Sequence, residues 1–271
     1  DELAGRVRFM FQPGEEGDGG ARVMIDEGVL DGVDAAFALH ISPNIPSGFV
    51  ASRPGPIMAS TDDFRVVVRG KGGHASTPHF GNDPIPVACE MVTALQTMVT
   101  RRIDAFNPAV ITVGRIAAGS TTNVIPESAE MLGTIRTVSD WTRVAATTGF
   151  ERVVRNVAAA HECEVDLALT PGYAVVRNDE AFVGFVKGVA DELLGVGRYF
   201  ELPSPIMGAE DFGYLLQRVP GAMAFLGVCP DDIENSLEAP SCHSNHMRLN
   251  EDALAHGIAL HVAVATRFLA R

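Results

Sequence analysis

Lysine is almost absent from this chain of 271 residues. Only Lys71 and Lys187 occur among its 21 basic residues, so arginine supplies nearly all of the positive charge. The 34 acidic residues outnumber the basic ones and give a net charge of −13. A protein that binds the phosphate backbone of nucleic acid needs a basic stripe that displaces counterions. The composition therefore predicts no nucleic-acid partner.

Cysteine and long apolar runs are also scarce. The four cysteines form no Cys-x-x-Cys pair and are too few for a disulfide scaffold. No apolar run reaches the roughly 18–20 residues that span a bilayer, and no leader pattern opens the chain. We therefore expect a cytoplasmic protein with reduced cysteines and no membrane partner.

Two common site motifs are missing as well. The sequence contains no Gly-x-Ser-x-Gly elbow, so a serine hydrolase has no support. It also contains no Gly-x-Gly-x-x-Gly, so a dinucleotide-binding fold has none either.

The hydrophobic pattern of both ends of the chain is typical of an α/β domain. Strands are predicted at residues 6–11, 35–39 and 222–228, and helices at 21–27, 179–194 and 251–269. The strand at 35–39 is wholly apolar, which indicates burial on both faces. Asn250 is the predicted N-cap of the last helix. Strands that alternate with helices predict one α/β domain built from residues 1–59 and 173–271.

The middle of the chain, residues 60–172, follows a different order. Strands are predicted at 63–69, 109–116, 129–137 and 164–170, and helices at 84–101 and 141–161. This βαββαβ order is that of a ferredoxin-like α+β unit. We expect it to be a compact insert in the α/β domain.

Glu15 and Glu16 form an acidic pair directly after the first predicted strand. Adjacent side chains diverge, so one carboxylate can bind a cation while the other handles a proton. A solvated acidic turn is the alternative for such a pair. His40 follows the apolar strand at 35–39, where it suits a metal ligand or a base. A structural histidine is the alternative there.

Histidines also occur in two loops. His74 lies in a glycine-rich segment that fails the spacing of a phosphate loop, and a plain turn is its alternative. His243 and His246 flank a short segment after Cys242, but the spacing is wrong for a zinc finger. Glu210 and Asp211 form another acidic pair, for which capping of the following helix is the alternative.

Each of these signals is weak alone, but their order along the chain is specific. The ordered set resembles the M20 metallopeptidase family, in the branch of hippurate hydrolase, aminoacylase-like enzymes and auxin-conjugate hydrolases. The resemblance rests on Gln-Pro-Gly-Glu-Glu at 12–16, Ala-Leu-His at 38–40, Gly-Lys-Gly-Gly-His-Ala at 70–75, Asn-Val-Ile-Pro at 123–126, Gly-Thr-Ile-Arg at 133–136, Met-Gly-Ala-Glu-Asp-Phe at 207–212 and Cys-His-Ser at 242–244.

The resemblance implies a fold and an assembly. The ends of the chain would form a zinc-peptidase-like three-layer catalytic domain, interrupted by a ferredoxin-like lid and dimerisation domain at residues 60–172. The protein would be a homodimer through that domain. It would hydrolyse the amide bond of N-acyl-L-amino acids.

The resemblance also implies roles for residues. Glu16, His40 and His243 would be ligands of two divalent metal ions, with Zn or Mn favoured and Co or Ni also suitable. Glu15 would be the general base, and His74 would polarise the scissile carbonyl. Asn123 and Arg136 would hold the α-carboxylate of the substrate. Glu210 would line or support the site.

One departure from the family pattern concerns the metal site. A Cys-Gly-His-Asp motif that provides further ligands in the family is not in this sequence. We expect it to lie upstream of Asp1, in a longer protein. His246 is an extra ligand candidate beside His243. The alternatives are a dipeptidase or carboxypeptidase of the same class, or a non-catalytic dimerisation scaffold.

Overall fold

The computed structural model describes residues 3–17 and 19–271. The predicted start of the first domain segment, residue 1, lies outside them. The chain divides into two compact units. The first unit comprises Asp1–Ile57, Val176–Ile206 and Asp211–Arg271, and the second comprises Met58–Val175 and Met207–Glu210.

The described residues form helices and strands in alternating groups. The α-helices are α1 (Gly20–Asp26), α2 (Pro84–Arg102), α3 (Asp140–Ala160), α4 (Glu180–Leu194), α5 (Gly213–Leu216) and α6 (Ala253–Leu269). The strands are β1 (Ala36–Ser42), β2 (Val50–Ser52), β3 (Gly55–Met58), β4 (Ser60–Arg69), β5 (Gly73–His74), β6 (Ala109–Ala118), β7 (Val124–Ile125), β8 (Ser128–Thr137), β9 (Glu164–Pro171), β10 (Val176–Asn178), β11 (Tyr199–Glu201) and β12 (Gly221–Gly227). Single-turn 3₁₀ helices lie at Pro78–Phe80 and Ser236–Glu238.

The first unit is built on a mixed sheet in the order β1-β12-β2-β11. Strands β1 and β12 are parallel, and β2 is antiparallel to β12. Apolar side chains of α4 and α6 share one core with the sheet, including Val186, Leu260 and Ala224. Helix α4 begins where the Asp179 side chain accepts a hydrogen bond from the Phe182 N–H, which satisfies a donor that the helix itself cannot.

The second unit is built on an antiparallel sheet in the order β6-β8-β4-β9. Alternate residues of β4, including Phe64, Val66 and Val68, are buried in a core shared with α2 and α3. Asp83 and Ser139 cap the N-termini of these helices through their side chains. The helices predicted at 84–101, 141–161 and 179–194 are confirmed to within about a residue at each end.

The first predicted strand is wrong. Residues 6–11 have no regular secondary structure, and the side chains of Phe9 and Phe11 are 77% and 86% exposed. An alternating pattern selects a strand only where a neighbouring strand supplies hydrogen bonds, and no described strand pairs with this segment.

Two further expectations need correction. Strand β1 is half-buried along its whole length, because it pairs on one side with β12 and on the other with no described strand. The strand also extends beyond its predicted end to Ser42, so His40 lies within β1 rather than after it. The last helix begins at Ala253, and Asn250 instead accepts a hydrogen bond from Asp252 N–H in the turn before it. Among the described helices, none combines the length and the apolar character that a membrane span requires.

Candidate metal centre and active site

Glu15 and Glu16 lie in a tight loop that leads into α1. The loop is closed by hydrogen bonds from Gly19 N–H to the Gly14 carbonyl at 3.0 Å and from Gly17 N–H to the Glu15 carbonyl at 2.8 Å. Gly14 and Gly19 have φ of 71° and 64°, a region that glycine adopts without a steric penalty. The backbone therefore presents the two carboxylates on a defined turn rather than on a loose loop.

Asp211 holds both ends of this loop. Its side chain is fully buried. One carboxylate oxygen accepts a hydrogen bond from Gln12 Nε2 at 2.5 Å, and the other accepts one from Ala21 N–H at 2.9 Å. Sequence reasoning associated this aspartate with the following helix, but the N-cap of α5 is Phe212 and makes no side-chain capping bond. Asp211 instead caps α1, and no local pattern in the sequence indicates that contact.

Glu15 occupies a partly buried, negatively charged environment. Burial raises the pKa of its carboxyl most, the Glu16 and Asp211 carboxylates raise it further, and His243 opposes them. A carboxyl group whose pKa is moved toward neutrality exchanges protons more readily at physiological pH. The half-buried Glu15 carboxyl thus lies in an environment that favours its protonated form.

Glu16 and His243 lie side by side. His243 Nδ1 is 3.7 Å from Glu16 Oε2, and both side chains are about three-quarters exposed, at 71% and 75%. His243 has a φ of 71°, which is unusual for a residue with a side chain and is a form of backbone strain found at functional sites. Carboxylate oxygen and imidazole nitrogen are both ligand atoms of zinc and manganese. This donor set fits a divalent cation.

His40 contacts the backbone of its own strand. Its Nδ1 is 2.6 Å from the carbonyl oxygen of Ile41. A carbonyl only accepts, so Nδ1 carries the proton and the lone pair of the neutral ring is on Nε2. Metal-binding histidines commonly show this arrangement. The thiol of Cys242 lies 3.8 Å from the same Ile41 carbonyl, so the segment that carries His243 passes beside β1.

In the second unit, the structure brings His74 and Asn123 together. His74 on β5 is opposite Val124 on β7, and Ala75 N–H donates to the Asn123 carbonyl at 3.0 Å. Ser76 N–H donates to His74 Nδ1 at 3.2 Å, so in the neutral ring the proton is on Nε2. His74 can therefore donate a hydrogen bond to a carbonyl oxygen. The strand pair lines an open cavity of about 350 Å³.

Arg136 lies on a different sheet of the second unit. It is half-buried on β8, and its Nη1 donates to the Met207 carbonyl at 2.9 Å. The segment that contains Met207 also accepts a hydrogen bond from Ala59 N–H through Gly208 at 2.9 Å. Arg136 is thus anchored by one nitrogen of its guanidinium group.

Known proteins resemble this chain over nearly its whole length. A family model described as Peptidase family M20/M25/M40 matches residues 1–267. The chain belongs to this family. Its relatives include an IAA-amino acid hydrolase of Arabidopsis thaliana, 36% identical over 99% of this chain and 61% of that protein. N-acetyl-L-cysteine deacetylase of Bacillus subtilis is 39% identical over 85% of this chain and 55% of that protein.

Two further similarities cover nearly the whole chain. Thermostable carboxypeptidase 1 of Saccharolobus solfataricus is 37% identical over 99% of this chain and 67% of that protein. A solved structure from Bacillus subtilis, described as a dinuclear metal-binding peptidase of the M20 family, superposes with a TM-score of 0.79 at 31% identity. That match covers 98% of this chain and 66% of the other. The chain thus spans about three-fifths of the length of the plant relative.

Proposed function

We propose that this protein is a metal-dependent amidohydrolase that cleaves N-acyl-L-amino acids into a carboxylate and an amino acid. The observation that carries the proposal is the position of the half-buried Glu15 directly beside Glu16, whose carboxylate lies 3.7 Å from His243 Nδ1. The names of relatives support the substrate class, since they include an IAA-amino acid hydrolase and an N-acetyl-L-cysteine deacetylase.

Glu16, His40 and His243 would hold the divalent metal, with zinc or manganese favoured. A bound divalent cation lowers the pKa of water and stabilises negative charge on a carbonyl oxygen. The relative described as a dinuclear metal-binding peptidase supports two ions in each site. A second ion needs ligands in addition to these three residues.

Glu15 would move the proton. Its carboxylate accepts a proton from the attacking water as the water oxygen bonds to the amide carbon. The protonated Glu15 then donates that proton to the leaving nitrogen as the carbon–nitrogen bond breaks.

For the second unit, the roles rest on the family motifs and on the hydrogen bonds of each residue. His74, with its proton on Nε2, would donate to the carbonyl oxygen and stabilise the oxyanion. Asn123 and Arg136 would bind the α-carboxylate of the substrate. Arg136 commits Nη1 to Met207, so Nε and Nη2 remain available for a bidentate contact.

A dipeptidase or carboxypeptidase is the second candidate, because the carboxypeptidase of Saccharolobus solfataricus is 37% identical. The test compares N-acetyl and N-benzoyl amino acids with dipeptides as substrates of the zinc- or manganese-loaded protein in its full natural length. We expect faster turnover of the N-acyl amino acids. Preference for dipeptides would favour the second candidate, and no hydrolysis of either class would favour a non-catalytic scaffold.

The homodimer expected from the family resemblance stays a prediction. Sedimentation equilibrium at micromolar concentration tests it, because a mass equal to that of the monomer would contradict it.

A further inference from the structure

We propose that Asp211 is a positioning residue that fixes the loop carrying Glu15 and Glu16, and thereby the metal affinity of the site. The inference rests on the proposed function, from which it takes the metal ion and its ligands. Its geometric part, the fixing of the loop, stands on the contacts of Asp211 alone.

Asp211 connects points that are far apart in the chain. The side-chain amide of Gln12, which donates a hydrogen bond to Asp211, is 199 residues away in sequence. The backbone N–H of Ala21, which donates the second hydrogen bond, is 190 residues away. These two residues lie on either side of the Glu15–Glu16 turn. A single buried carboxylate therefore ties together the entrance and the exit of the loop.

Backbone hydrogen bonds close the turn itself, and the Asp211 side chain joins the segments on either side of it. Helix α1 is only seven residues long, and its N-cap, Gly19, provides no side-chain capping bond. The segment that precedes the loop, residues 6–11, belongs to no described sheet. Loss of the Asp211 bonds would leave Ala21 N–H without this acceptor and would remove the link between the two ends of the loop.

The two ends of the loop pack closely against each other, so a movement at one end is passed on to the other. A Cβ atom built on Gly20 would lie 1.7 Å from the Pro13 carbonyl oxygen, so the two ends of the loop are in direct contact. A shift at either end therefore displaces Glu16 relative to His243. Both oxygens of Asp211 accept hydrogen bonds from the ends of the loop, and these two contacts are the basis of the positioning role.

Substitutions of Asp211 can distinguish the effect of its hydrogen bonds from the effect of its negative charge. Asparagine at position 211 can accept from Ala21 N–H with its oxygen and donate from its nitrogen to Gln12, once the Gln12 amide turns over. Asp211→Asn therefore keeps the tie between the loop ends, whereas Asp211→Ala removes it. Gln12→Ala removes only one end and changes a half-buried side chain, so it provides a milder variant if Asp211→Ala does not fold.

The experiment measures Zn²⁺ affinity by titration calorimetry and hydrogen exchange of the amides of residues 14–21 in the metal-free protein. We expect Asp211→Ala to weaken Zn²⁺ binding by about 10–100-fold, the range found for residues that orient ligands, and to accelerate exchange in this loop. Gln12→Ala should show a smaller change in the same direction. Asp211→Asn should stay within about threefold of the wild type in affinity.

The matched control is Asp232→Ala, which removes an exposed aspartate of the same unit that pairs with Arg248. It should change neither measurement. Wild-type Zn²⁺ affinity and loop exchange in both Asp211→Ala and Gln12→Ala would overturn the proposal. Equal impairment of Asp211→Asn and Asp211→Ala would overturn it too, because charge rather than the tie would then matter. If the protein bound Zn²⁺ but hydrolysed no N-acyl amino acid, the proposed function would fail while this comparison would still test Asp211.

Discussion

Arg143 and Asp62 form a two-pronged ion pair in the second unit, with the aspartate side chain only 4% exposed. Arg143 Nε donates to Asp62 Oδ2 at 2.8 Å, and Nη2 donates to Oδ1 at 2.5 Å. Asp62 also accepts from Gly172 N–H at 3.3 Å. The pair thus fastens α3 to β4 and to the end of β9.

Removal of Arg143 should destabilise the protein strongly. Arg143→Ala leaves the Asp62 carboxylate buried without its counter-ion, which costs about 3–5 kcal/mol. Arg155→Ala is the matched control, since Arg155 lies on the same helix and forms an exposed pair with Glu151. Its loss should cost less than about 0.5 kcal/mol. Urea unfolding measures both values, and similar costs for the two variants would contradict the account.

Gly20 should not tolerate a side chain. Gly20→Ala places a methyl group against the Pro13 carbonyl, so we expect a loss of roughly 1–3 kcal/mol from overpacking. Gly184→Ala is the control, because a Cβ at that position of α4 meets nothing within 4 Å. Alanine at an open helical position should stabilise by about 0.5–1 kcal/mol. Thermal unfolding of the two variants should therefore shift in opposite directions, and equal shifts would contradict the prediction.

His261 should make stability depend on pH. Partial burial of its imidazole lowers the pKa below the ordinary value of 6.5, and the ring packs edge-on against Phe37 at 5.1 Å between centroids. The residue as a whole is exposed, so the effect on stability should be small. Between its folded pKa and 6.5 the unfolded chain binds more protons, so stability falls as pH decreases through this window. His261→Gln should remove that part of the dependence. The free energy of unfolding of both proteins, measured from pH 8 to pH 5, tests this; a constant difference between them would count against it.

His40 and His74 should differ in the position of the ring proton. The carbonyl beside His40 Nδ1 and the N–H beside His74 Nδ1 require opposite neutral forms. Nitrogen-15 NMR of the imidazoles should show a proton on Nδ1 of His40 and on Nε2 of His74. The reverse assignment at either ring would remove the basis for its proposed role.

The helices of the molecule are readable from the sequence because their signals are local. The aspartate or serine caps at Asp83, Ser139 and Asp179 stand at the start of segments whose apolar residues have helical spacing. Each cap acts on a backbone N–H only two or three residues later. Such signals can be recognised in the sequence without knowledge of the rest of the fold.

Other features depend on distant partners and were not readable. The alternation at residues 6–11 predicts a strand, but pairing decides whether one forms. The tie between Gln12 and Asp211 spans 199 residues, and no local pattern indicates it. Glu15, Glu16 and His243 could be selected from the sequence only as members of an ordered motif set, because each alone resembles an ordinary surface residue.

The measurement that tests the central claim most directly compares Glu15→Gln with Glu16→Gln in the zinc-loaded protein. Each variant is assayed for bound zinc and for hydrolysis of an N-acyl amino acid. Glu15→Gln should retain zinc and lose turnover by about 10²–10⁴-fold, the usual contribution of a general base, whereas Glu16→Gln should lose zinc. A Glu15→Gln variant that keeps both its zinc and its turnover would contradict the account.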